Sequence, residues 1–106
     1  MVEISLHERT QALLADPSLG DKDIDSKIRS LLRTEYLHQL ARHRRTDKLF
    51  AEKYGMLFDE FIHHRVTKKL NYSWDVEQDA MTWETAIGGI QATERKLREL
   101  RTIGHE

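Results

Sequence analysis

Apolar residues recur along most of this chain at intervals of three and four. A first long stripe runs through Ile24, Ile28, Leu31, Leu32, Tyr36, Leu37, Leu40 and Ala41, lapses into Arg-His-Arg-Arg-Thr-Asp-Lys between Arg42 and Lys48, and resumes at Leu49, Phe50 and Tyr54. That spacing predicts one helix of about 30 residues. Asp21 or Asp23 opens it with acids in the first turn, and Gly55 suits the left-handed position after a helix end. Met56, Leu57, Phe58, Phe61, Ile62 and Val66 predict a short helix, apolar on one side and ending near Leu70-Asn71, that packs into the core. Ser73 is a good N-cap for a last helix with Asp75 and Glu77 in its first turn. Its stripe is Ala80, Trp83, Ile87, Ile90, Leu97 and Leu100, and Gly88-Gly89 marks a close helix approach or a kink.

Ahead of these, Ser5 is positioned to cap a short helix through Leu6, Leu13 and Leu14, closed by the turn residues Asp16-Pro17-Ser18-Leu19-Gly20. Residues 1–20 therefore form an N-terminal arm, and residues 21–106 one helical domain with helices at about 22–54, 57–69 and 74–102. The fold class is all-α: an antiparallel helical hairpin with a short bridging helix. Two long helices and a short one leave a thin hairpin apolar on one side, so a homodimer completing a four-helix bundle is the expected assembly.

Composition supports helices and narrows the chemistry. The 106 residues include one proline, five glycines and no cysteine. Without cysteine there is no disulfide, thiolate metal site or cysteine nucleophile. No apolar run has the length of a signal peptide or a membrane span, so the expected location is the cytoplasm, with no membrane partner.

The net charge of −1 hides strong segregation: residues 27–54 carry eight bases and three acids, whereas residues 73–94 carry five acids and no base. In an antiparallel hairpin the basic end of the long helix, Arg42, Arg44, Arg45, Lys48 and Lys53, lies alongside Asp75, Glu77, Asp79 and Glu84, which brings the stretch from Arg42 to Lys48 within reach of Asp75 to Glu84. The bland reading of Arg42, Arg44 and Arg45 is then internal pairing or solvation, and the sharper one is contact with an acidic partner. Nucleic acid is not favoured, because interleaved aromatics are missing.

Two catalytic or metal-binding arrangements compete with a binding role. Glu35 with His38, and Glu60 with His63, form two Glu-x-x-His steps of the kind that di-iron bundles use twice, although such sites need carboxylates from two further helices. Arg33 and His38 form an Arg-x4-His step similar to the motif of the small helical HEPN ribonucleases, where a histidine acts as general base and an arginine stabilises phosphate charge. Bases and histidines are numerous enough here for such spacings to arise by chance. The aromatics Tyr36, Phe50, Tyr54, Phe58, Phe61, Trp74 and Trp83 fall on or beside the stripes and read as core. No nucleophile elbow or phosphate-binding loop is present, and no cofactor is expected.

Lys53-Tyr-Gly-Met56, Phe58-Asp-Glu-Phe61 and the run from Ser73 to Glu84 resemble small uncharacterised prokaryotic all-helical proteins found in suspected toxin–antitoxin gene pairs. The likeness covers about residues 27–103. It implies an antitoxin-like, non-enzymatic role: binding and neutralising or regulating a cognate protein such as a small toxin. It transfers no catalytic residue. Leu57 departs from the pattern, standing where a small N-capping residue such as serine is expected. An antitoxin must occlude a usually basic surface, and acidic residues 16–25, with Asp21, Asp23 and Asp25, together with the arginines Arg42, Arg44 and Arg45, are the candidate partner-binding residues.

Overall fold

The computed structural model describes residues 5–20, 23–64, 66–69 and 73–103, most of them helical. The helices are α1 (Glu8–Leu14), α2 (Ile24–Tyr54), α3 (Phe58–His63), α4 (Val66–Lys69) and α5 (Trp74–Ile103), with a 3₁₀ turn at Pro17–Leu19. Packing divides the chain into two units, Met1–Thr34 and Glu35–Glu106, with the division inside α2. The expected arm ended at Gly20. The division instead groups residues 24–34 of α2 with α1, and Lys27 and Leu14 tie those two elements together.

The caps account for the helix ends. His7, not Ser5, caps α1: its Nδ1 accepts from the Arg9 amide at 3.1 Å. Asp16 accepts from the Ser18 amide at 2.9 Å and sets the 3₁₀ turn. Asp23 opens α2, its Oδ1 accepting from the Ser26 amide at 3.1 Å. Gly55, at φ 66°, ends α2 in the left-handed region that favours glycine. Leu57 does precede α3 as its N-cap and offers no side-chain acceptor. Glu60 compensates by reaching back to accept from the Leu57 amide at 3.2 Å, one half of a capping box. The single bridging helix expected over 57–69 is two short ones, and its end near Leu70-Asn71 lies outside the described residues. Ser73 caps α5 as expected, accepting from the Val76 amide at 3.4 Å.

In the larger unit, contacts between α2 and α5 run in opposite senses: Lys53 and Tyr54 meet Asp79, Asp47 meets Trp83, Arg44 meets Glu94 and Lys96 meets Tyr36. The two helices are therefore antiparallel there. The core sits at the closed end, where Phe50, Phe61 and Trp83 are buried and Tyr54, Phe58, Val76, Ala80 and Ile87 pack around them. Trp83 is wholly enclosed, with Phe50, Phe58 and Phe61 rings centred 5.7, 5.3 and 5.1 Å away. Its indole Nε1–H donates to Asp47 at 2.8 Å, which satisfies the polar edge of the ring inside an apolar cluster.

Within α2 the residues turned to α5 are Tyr36, Leu40, His43, Asp47, Phe50 and Tyr54, an unbroken alternation of four and three. The lapse in apolar residues between Arg42 and Lys48 is thus not a lapse in the seam, which carries a histidine and an aspartate across it. His43 lies against Gly89: a Cβ there would come within 2.5–2.7 Å of three imidazole atoms. Gly89 therefore serves the close approach, and α5 runs through Gly88-Gly89 as one helix.

In the smaller unit Leu14 is buried and the Lys27 Nζ donates to its carbonyl at 2.6 Å. A cation placed on the carbonyl end of a short helix satisfies an unpaired acceptor and opposes the helix dipole. This contact anchors α1.

Candidate partner-binding surfaces

Side chains at Ile24, Ile28, Leu31 and Leu32 recur at helical intervals, so they share one face of α2. All four are exposed, by 49, 37, 49 and 38 %. The sequence places them on the apolar stripe of the long helix. Within the same unit Leu13 and Leu19 are exposed as well. A row of large aliphatic side chains in water is costly, at about 25 cal/mol for each Å² left uncovered, and contiguous patches of this kind mark interaction surfaces.

Asp23 and Asp25 stand at the start of this face. Asp21 lies outside the described residues. Asp23 is exposed and occupied as the α2 cap, and the Ser26 bonds hold its carboxyl below the ordinary value. Asp25 is exposed and pairs with Arg29 at 2.9 Å.

In the larger unit the charge match between α2 and α5 is real but shifted. Arg44 pairs with Glu94 at 3.1 Å, outside the expected acidic stretch. Lys53 pairs with Asp79 at 2.5 Å, as the facing charge blocks predict. Arg42, Arg45 and Lys48 are exposed and form no ion pair among the described residues. The Asp79 carboxyl also accepts from the Tyr54 hydroxyl at 2.6 Å. Bonds from Lys53 and Tyr54 hold Asp79 below its usual range, while burial and Asp79 push the Tyr54 phenol up to about 12. This triad clasps the closed end of the hairpin. Trp74, read as core, is 71 % exposed; with Met81 two turns on, it leaves an apolar strip on the outer face of α5.

The residues of the rival chemistries are spread over exposed positions of one chain. Glu35 is exposed and accepts from Gln39 at 3.1 Å, and Glu60 is engaged as the α3 capping partner. His38 is exposed, and His63, also exposed, meets only the edge of His64 with ring centres 5.6 Å apart. Among the described residues no three histidines or carboxylates converge as a metal site. Arg33 and His38 are both exposed, and five residues on an α-helix turn side chains apart by about 140°. No helix among the described residues is long and apolar enough to cross a membrane.

Several residues that shape these surfaces escaped the sequence reading. Lys27 and Asp47 look like surface charges in a polar stretch. The continuing four–three interval through His43 and Asp47 was the available signal for the second, whereas nothing local marked Lys27. Arg98 and Arg101, four and seven residues after Glu94, line the same side of α5 beside Arg44 and enclose an open cleft over Leu40 and Leu97.

Comparison with family models, curated proteins and solved structures gives no match for this chain.

Proposed function

We propose that this protein is an antitoxin-like, non-enzymatic protein-binding module that neutralises or regulates a cognate protein. The observation that carries the reading is the exposed apolar row Ile24, Ile28, Leu31 and Leu32. Such a face gains more from a protein surface than from a nucleic acid, which offers charge but little aliphatic area. Asp23 and Asp25 at its start, with Asp21 ahead of them in sequence, would meet a basic partner such as a small RNA-cleaving toxin, and Arg42, Arg44 and Arg45 would meet acidic groups on the same partner. In the homodimer we envisage, Trp74 and Met81 supply apolar contact between two hairpins, making a cytoplasmic four-helix assembly.

Co-expression with the product of the adjacent gene tests this. The expected result is a stable complex that Leu31→Asp with Ile28→Asp weakens by about a hundredfold, two central apolar contacts each being worth at least about 1.4 kcal/mol. Absence of a complex, together with RNA cleavage abolished by His38→Ala, would overturn it in favour of a ribonuclease.

A further inference from the structure

Two open clefts lie along the α2–α5 seam. One, about 320 Å³, is lined by Leu40, Arg44, Glu94, Leu97, Arg98 and Arg101. The other, about 200 Å³, is lined by Asp47, Leu57, Phe58, Asp59, Ile87 and Gln91. Arg44 and Asp47 are three residues apart on α2, and Gln91 and Glu94 three apart on α5, so each pair shares a helix face. The clefts are therefore successive along the same side of the hairpin and form one groove, crossed at their junction by the Arg44–Glu94 ion pair.

The groove is apolar along its floor and opposite in charge at its ends. Three arginines against one glutamate stand at one end, and two aspartates without a base at the other. From Ile87 to Arg101 it follows fifteen residues of α5, about 21 Å or four helical turns.

We infer that this groove docks an amphipathic helical segment of a partner protein, aliphatic on its buried face, with carboxylates at the end that meets Arg44, Arg98 and Arg101 and bases at the end that meets Asp47 and Asp59. The protein nature of the occupant rests on the binding-module reading above. Guanidinium groups pair carboxylates in a bidentate fork, and Leu40, Leu97, Phe58 and Ile87 offer a surface for apolar side chains in the helix-in-groove manner. A polyphosphate backbone fits poorly, because the aspartate end repels it and the arginine end presents no aromatic face for bases.

The test uses the full chain and two synthetic helical peptides of one composition, with leucines on one face. The first has glutamates at one end and lysines at the other; the second alternates them. Fluorescence anisotropy is expected to show the first binding at least about tenfold more tightly. Arg98→Gln with Arg101→Gln should abolish that preference while the helical circular dichroism stays unchanged. Equal binding of the two peptides would overturn the proposal, as would a single-stranded RNA oligomer binding more tightly than either peptide and depending on the same arginines. A partner that still co-purifies with the double variant would locate recognition elsewhere and leave the binding module intact.

Discussion

The two halves of α2 carry similar apolar spacing and have opposite fates. From Tyr36 to Tyr54 one face packs against α5, and Leu40 and Phe50 are buried; from Ile24 to Leu32 the aliphatic face is in water. The difference teaches that periodicity reports which residues share a side and not whether that side is covered. Coverage depends on a second element of matching length and register. α5 supplies it in the larger unit, whereas α1, with seven residues and one buried leucine, covers little.

The contrast can be broken most sharply at the aromatic core. Trp83→Ala removes a fully enclosed ring and orphans Asp47, and should cost about 3–5 kcal/mol by urea denaturation. Leu31→Ala should cost under about 0.5 kcal/mol in the same assay on the monomer. A comparable loss at both sites would show that the aliphatic row is already buried in an assembly.

The glycine pair gives an intermediate effect. Gly89→Ala drives a methyl group into the His43 ring and should destabilise by about 1–3 kcal/mol, whereas Gly88→Ala meets nothing within 4 Å and should stabilise by about 0.5–1 kcal/mol. Thermal melts of the two variants shifting in the same direction would contradict the seam described above.

The clasp contributes less than the aromatic core and is read through pH. The depressed Asp79 carboxyl contributes stability that is complete above its unfolded value near 3.8 and lost as pH falls through the lower folded value. The Tyr54 phenol contributes below its ordinary value of 10.0, and that share disappears as pH rises toward about 12. Asp79→Asn should cost about 1 kcal/mol at neutral pH and flatten both flanks of the stability–pH curve. Unchanged flanks would assign the acid and alkaline transitions to other groups. Leu31→Ala, by comparison, should leave the curve's shape intact.

Much of the larger unit was legible because its signals are local. Gly55, Ser73 and the spacing of the last helix set boundaries within a residue or two, since capping and left-handed turns involve only neighbouring atoms. Leu57 is legible as a poor cap, whereas its remedy, Glu60, reads equally as a metal ligand, because one Glu-x-x-His spacing serves either role. The candidate surfaces were less legible. Asp25 and Arg44 are engaged by Arg29 and Glu94, pairings set by rotamer and register. Arg98 and Arg101 gain meaning only beside Arg44, fifty and more residues away in the chain.

By itself the sequence determined the all-helical class, the ends of α2 and α5, their antiparallel charge logic and the aromatic identity of the core. These follow from hydrogen bonds within a turn and from side-chain character. The tertiary structure alone decided which apolar faces are covered, that His43 and Asp47 carry the seam, that Lys27 holds α1, and that a groove of opposed charges runs beside α5. Burial and electrostatic pairing are set by what lies across a gap in space, and no interval along one helix encodes its neighbour's register.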